Sequence, residues 1–195
     1  MTPRAARSPD PDDEDALSEV SVGPLTPHNE TVLLVDYDPT WPAIFATEQQ
    51  RVLESLGDTA VAVEHVGSTA VPGLMAKPII DIVLAVHDSA DETSYVPALE
   101  DIGYTLRIRE PDWFEHRVLT RQHPAVNLHV FTAGASEMTR MLRFRDHLRR
   151  HPADRERYAA AKQGLARRTW RYVNDYADAK DDVIAMIQDA MTPER

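Results

Sequence analysis

The chain contains no cysteine. That absence excludes disulfides, thiolate metal sites and cysteine nucleophiles together. No apolar stretch approaches the ~20 residues needed to span a bilayer. The N-terminus also lacks the apolar segment of a secretion signal. A cytoplasmic location without a membrane partner is therefore expected. Positive charge is in short supply, with 21 Lys and Arg against 32 Asp and Glu, a net −11. An acidic whole argues against nucleic acid as a partner. What remains is 195 residues with 43% apolar side chains, enough for one domain with a real core.

The charge is unevenly placed. Residues 1–30 carry seven acids and two arginines, whereas residues 140–171 carry eleven Lys or Arg and three acids. The basic block can face a polyphosphate or an acidic partner, or simply be a solvated helix face. The first 28 residues combine prolines with the acidic run Pro9–Asp15 and have few large apolar side chains. Such a composition does not bury enough apolar surface to offset ordering entropy, so 1–28 is expected to be a disordered tail and 29–191 the folded domain.

Within that domain the pattern predicts a helix capped by Thr40, with Pro42 in its first turn and Trp41, Phe45, Val52 and Leu56 on one face before Gly57. Strands are expected near 61–66, 79–86, 104–109, 114–120 and 125–131. Strict alternation in Tyr104–Arg109 places Tyr104, Leu106 and Ile108 together. A short helix is expected near 91–102. Three longer helices near 136–150, 153–170 and 175–191 follow, the last with a stripe of Tyr176, Ala179, Val183, Ile187 and Met191. The fold class is α/β (α+β): a mixed sheet with flanking helices and a helical C-terminal half.

The densest information lies in Val61–Val86, VAVEHVGSTAVPGLMAKPIIDIVLAV. A strand-like run ends at Gly67-Ser68, and after twelve further residues, Thr69–Ile80, a second apolar run carries Asp81. Glycine lets backbone approach a phosphate group, and Ser68 and Thr69 can donate hydrogen bonds to it. A carboxylate on a strand can bind a divalent metal.

This order resembles the signature of the nucleotidyltransferase superfamily. EHVGSTAVPGLMAKPIIDI, together with YDPTW at Tyr37–Trp41, NLHVF at Asn127–Phe131, FRDHLRRHP at Phe144–Pro152, Tyr158, Lys162, Tyr176 and Lys180, is similar to the GrpB family across roughly residues 30–191. The resemblance implies a sheet of nucleotidyltransferase type, a nucleoside triphosphate as substrate, a divalent metal (Mg, Mn or Zn) and a small-molecule acceptor. It also implies an accessory possibility, since GrpB-like domains occur fused to dephospho-coenzyme A kinases and to acetyltransferases.

The superfamily pattern calls for two acids two residues apart, which share a strand face, and a third on a neighbouring strand. Here the second position is Val83, and the resemblance points to His129 for the third. One carboxylate and one imidazole make a poor cradle for two hard cations, because magnesium prefers oxygen ligands and histidine suits softer metals. Asp81 and His129 are the catalytic and metal candidates, with Glu64 and His65 beside the Gly-Ser turn as further metal candidates. Gly67, Ser68, Thr69, Lys77, Arg143, Arg145 and Lys162 are the phosphate candidates. Each has a bland alternative. Asp81 can be neutralised by Lys77, His129 can be a hydrogen-bonded core residue, and Lys77 can reach solvent. Arg143 and Lys162 can be surface partners of Asp146 or Glu156. Only one of His116 and Arg117 can face the working side of the sheet. Trp113 and Phe114 can stack on a base, although core packing explains them as well. A noncatalytic ligand-binding or folding-accessory module and a His/Asp metal-dependent hydrolase or ligase are the rival readings.

Overall fold

The computed structural model describes residues 14–24 and 29–191. Its centre is a five-stranded mixed sheet built from β2 (Ala60–Val66), β3 (Ile80–Val86), β4 (Thr105–Glu110), β5 (His116–Arg121) and β6 (Val126–Thr132), in the order β2-β3-β6-β5-β4. β3 and β6 are parallel, and the other neighbours are antiparallel. All five expected strands are present, each within about two residues of the expected limits.

Alternation in β3 and β6 sorts the sheet into two faces. Ile80, Ile82, Leu84, Leu128 and Val130 pack beneath α2 (Trp41–Leu56) and α3 (Val96–Asp101), with Trp41, Val52, Leu56, Tyr95 and Leu99. Val83 and Phe131 lie on the opposite face with Val66, beneath Met138, Met141 and Leu142 of α4 (Ser136–Arg150). The register pairs Asp81 with Asn127 and Val83 with His129, so Asp81, Asn127 and His129 share the α4 face.

Several local expectations change. Thr40 stands at the N-cap of α2 without a side-chain cap bond. Asp38 accepts from both the Thr40 amide (2.8 Å) and its hydroxyl (2.7 Å). The alternation of β4 is interrupted by a register shift between Leu106 and Ile108, which pair with Leu119 and Val118 respectively. The shift sends Ile108 to the face opposite Leu106. The segment near 91–102 is a 3₁₀ turn, Glu92–Ser94, followed by α3. α5 (Pro152–Ala166) ends before residue 170 because Thr169–Trp170 forms β7, paired antiparallel with β1 (Glu30–Thr31). The single helix expected over 175–191 is two, α6 (Val173–Asp178) and α7 (Asp181–Ala190). Its stripe divides accordingly. Tyr176 joins Val32 and Ala166, while Val183 and Ile187 join Val71, Leu74, Leu148 and Tyr158.

Part of the stretch expected to be a disordered tail is described. Residues Glu14–Val20 form α1, Ser21 bridges Ile108, and the Val22 amide donates to the Arg107 carbonyl (2.7 Å). These bonds extend the free edge of β4. Residues 1–13 and 25–28 lie outside the described part. Among the described residues no helix is long and apolar enough to cross a membrane.

Candidate functional site

The end of β2, the loop after it, β3, β6 and the C-terminal helices enclose a cavity of about 280 Å³. Gly67, Ser68, Thr69, Lys77, Asp81, His129, Arg145 and Lys162 all line it. The structure thus gathers eight of the eleven residues singled out from the sequence.

Gly67 turns the chain at φ +69° into the short 3₁₀ turn Ser68–Ala70. A Cβ there would lie 2.3 Å from Asp81 Oδ2. The glycine is needed because the carboxylate packs against it, and Asp81 Oδ1 accepts from Asn127 Nδ2 (2.9 Å). Thr69 is buried, and its hydroxyl is bonded to His65 Nε2 (3.0 Å).

Three ammonium groups converge on that single carboxylate. Lys162, 2% exposed, donates to Ser68 Oγ (2.9 Å) and to the Met75 carbonyl, and lies 5.0 Å from the Tyr158 ring centre. Lys77 and Lys180 stand 5.6 Å and 4.8 Å from the ring of Tyr176. Burial, and then the charge of Lys180, pushes Lys162 down to about 7 against the opposing pull of Asp81. Burial, and then Lys77, pushes Lys180 down to about 8. Lys77 is lowered too, by burial, with the charge of Asp81 opposing. The hydroxyl of Tyr176, a residue 1% exposed, is buried with no hydrogen-bond partner among the described residues. A buried donor without an acceptor is unfavourable by about 1–3 kcal/mol.

The arginines of the cavity are already paired. Arg140 holds Glu137, and Arg145 holds Glu64 (2.9 Å), Asp146 (2.8 Å) and the His65 carbonyl (2.9 Å). Much of the basic block is thereby answered within the fold, as Arg149–Asp146 and Arg157–Asp154 also show. Arg143 lies outside the cavity, in a second hollow with His147, Arg150, His151 and Asp154.

The metal candidates do not surround a common point. Glu64 is bound to Arg145. His65 pairs with Ile82 and stacks on Phe45 of α2 with ring centres 4.7 Å apart, which puts it on the sheet face away from Asp81. His129 Nδ1 is 3.1 Å from His116 Nε2. Among the described residues no group of three or more His, Cys, Asp or Glu is arranged to hold a metal ion. With Val83 in place of a carboxylate, this donor set does not fit a pair of hard cations.

Of the two neighbours in β5, His116 takes the cavity-side face, and Arg117 turns away to Glu92 (2.7 Å). Trp113 and Phe114 pack with Phe131 beneath α4, where core packing accounts for them.

A family model described as "GrpB protein" matches residues 31–190. The chain belongs to the GrpB family. It is 58% identical over 177 residues to a UPF0157 protein of Halalkalibacterium halodurans, covering 91% of each chain. It is 46% identical over 155 residues to a UPF0157 protein of Streptomyces coelicolor, covering 80% of this chain and 81% of the other. It is also 30% identical over 176 residues to a dephospho-CoA kinase of Mycolicibacterium paratuberculosis, covering 77% of this chain but 43% of that protein. A solved structure described as conserved protein GrpB from Enterococcus faecalis superposes with a TM-score of 0.62 at 27% identity, covering 80% of this chain and 99% of that one.

For this GrpB chain, sequence reasoning quoted Asn127, Tyr176 and Lys180 within the family resemblance but gave none of them a place in the site. Asn127 had a signal, because it shares a face with His129 in an alternating strand. Lys180 had the family resemblance as its only signal and no local pattern pointing to the cavity. It reaches the cavity because the helix breaks there and Lys180 becomes the N-cap of α7.

Proposed function

We propose that the cavity binds the polyphosphate of a nucleoside triphosphate and that the chain transfers a nucleotidyl group to a small hydroxyl-bearing acceptor. The observation that carries this reading is the gathering of Lys77, Lys162 and Lys180 around one carboxylate, with the unpartnered Tyr176 hydroxyl among them. Buried like charges repel, and an anion relieves that repulsion while offering acceptors to the hydroxyl and to Ser68. The ammonium groups would supply the positive charge that bound metal ions supply to the phosphates in a carboxylate-lined site. A cavity of about 280 Å³ is at the small end for ligand pockets. It suits phosphates and part of a sugar, so recognition would rest on the polyphosphate more than on the base.

A second reading draws on Val83 and on the similarity to part of a dephospho-CoA kinase. In it the chain is an accessory module that binds a phosphorylated ligand without reacting it.

Calorimetric titration with ATP, GTP, CTP and UTP tests the proposal. Binding by wild type, lost in Lys180→Ala and kept in Arg143→Ala, is the expected result. Failure of wild type to bind any of the four overturns it. Binding without nucleotidyl transfer to any of a panel of small alcohols turns the reading toward the accessory module.

A further inference from the structure

A chain of hydrogen bonds runs behind the cavity wall. Glu110 Oε2 lies 2.7 Å from His116 Nδ1, and His116 Nε2 lies 3.1 Å from His129 Nδ1. The three residues stand on the neighbouring strands β4, β5 and β6, with Glu110 opposite His116 in register. His116 is 4% exposed and held on two sides, by Phe131 stacked at 4.5 Å and Trp113 edge-on at 5.0 Å. The two imidazoles are nearly coplanar in orientation, 8° apart. Only His129 lines the cavity. Val83 and Phe131 share this sheet face, and the two histidines bring polar nitrogens, joined to each other and to Glu110, into it.

We propose that Glu110, His116 and His129 form a proton relay, with His129 as the proton acceptor of the cavity and Glu110 and His116 as its positioning residues. The directions of the bonds follow from the carboxylate. Glu110 accepts from His116 Nδ1–H. His116 Nε2 is then an acceptor, and His129 must donate from Nδ1. That order leaves a lone pair on His129 Nε2, the nitrogen not engaged by His116. An acceptor hydroxyl gives its proton to that nitrogen as its oxygen bonds to the α-phosphorus. The bridging bond from the α-phosphorus to the leaving pyrophosphate breaks, and the electron pair departs with the pyrophosphate toward the lysines. The Nδ1 proton of His129 moves to His116 Nε2. His129 is then neutral again, and the positive charge rests on His116 beside the Glu110 carboxylate.

The charged groups facing His129 are consistent with this direction. Asp81 from β3 and Glu110 from β4 favour a proton on it, whereas burial and the charge of His116 oppose one, the balance lowering His129 to about 4. Arg140 and Arg145 of α4 and the three lysines line the same cavity. A positive charge is therefore better accommodated on His116 than at the cavity wall.

The inference rests on the proposed function for its substrate, but its test needs no ligand. Long-range ¹H–¹⁵N spectra of the full chain, with histidines isotopically labelled, report which ring nitrogen carries hydrogen. At pH 7.5 His129 should appear as the Nδ1–H form, the minor form of free histidine. In Glu110→Gln, a near-isosteric change, the Nδ1–H share of His129 at pH 7.5 should fall, because the carboxylate that fixes His116 as a donor from Nδ1 is gone. An Nε2–H form of His129 at pH 7.5 in wild type overturns the relay, whatever nucleotide titrations show. So does a His129 tautomer ratio indifferent to Glu110→Gln.

Discussion

The Asp81 carboxylate occupies the space that a side chain on Gly67 would fill: a Cβ built on Gly67 falls 2.3 Å from Asp81 Oδ2 and 2.9 Å from Asp81 Cβ. The glycine of the Gly-Ser turn and the strand acid are therefore one structural unit, fourteen positions apart in sequence and in contact in the fold. The glycine's left-handed backbone, at φ +69°, adds a second reason for its identity.

Gly67→Ala should destabilise the protein by about 2–4 kcal/mol, from strain at positive φ and displacement of the carboxylate. Asp81→Ala should relieve part of that clash. In a double-mutant cycle the two changes should couple by about 1 kcal/mol or more. Urea denaturation of the four proteins measures it, and additive effects would show that Gly67 is required for its backbone angle alone.

The anchor of α2 on the sheet rests on a buried charge. Glu48, 1% exposed, accepts from Tyr104 Oη (2.9 Å) and is paired with Arg121 Nη1 (2.5 Å). Glu48→Ala leaves Arg121 and Tyr104 without their acceptor and should destabilise the fold by about 3–5 kcal/mol. Glu48→Gln, which keeps an acceptor, should be less severe. Thermal melts of both variants check the order, and equal losses would count against a charge-specific anchor.

The sheet was largely legible in the sequence because alternation sorts side chains before any tertiary contact is known. Val126, Leu128 and Val130 separate from Asn127, His129 and Phe131 on pattern alone, and the observed faces agree. The bulge in β4 was hidden, since Leu106 and Ile108 have the spacing of one face and the register shift arises from pairing with β5. The C-terminal helices misled for the same reason. The break between α6 and α7 carries no proline or glycine, yet it separates Tyr176 from Ile187 into different clusters and brings Lys180 to the cavity. Glu48 was invisible because an acid within an amphipathic helix reads as solvent-facing until Arg121 and Tyr104 are known to meet it. Residues 14–20 carry the acidic composition of an unstructured segment, and their helix continues into the Ser21 bridge to the β4 edge.

Stability should rise with pH between about 7 and 9. Lys162 falls from its ordinary 10.5 to about 7 in the fold, so between those values the unfolded chain binds the extra proton. Raising the pH then favours the native state by up to about 1.4 kcal/mol per unit. Lys180, down to about 8, acts in the same direction. On the acid side His65 and His129 are both lowered to about 4. Stability should fall as the pH drops from 6.5 toward 4, where the unfolded chain gains protons first. Denaturant midpoints at half-unit intervals test both limbs. Lys162→Met should flatten the alkaline limb, and an unchanged slope in that variant would assign the effect elsewhere.

Nucleotide binding should take up protons from solution at pH 8. There Lys162 is mostly neutral and Lys180 is partly so in the empty cavity, from the values of about 7 and about 8. A polyphosphate beside them favours their charged forms, raising both. Linkage then requires uptake of roughly one proton per complex at pH 8, declining toward zero near pH 6, where both lysines already carry their protons. Calorimetry in buffers of different ionisation enthalpy measures the uptake as the slope of observed heat against buffer enthalpy. Lys162→Met should reduce that slope at pH 8 and weaken binding by about 1–3 kcal/mol, the scale of a lost charge-assisted hydrogen bond. Arg143→Ala, in the other hollow, should leave both quantities unchanged. Tight binding with no uptake at pH 8 would place the phosphates away from Lys162 and Lys180, and the cavity would no longer be their site.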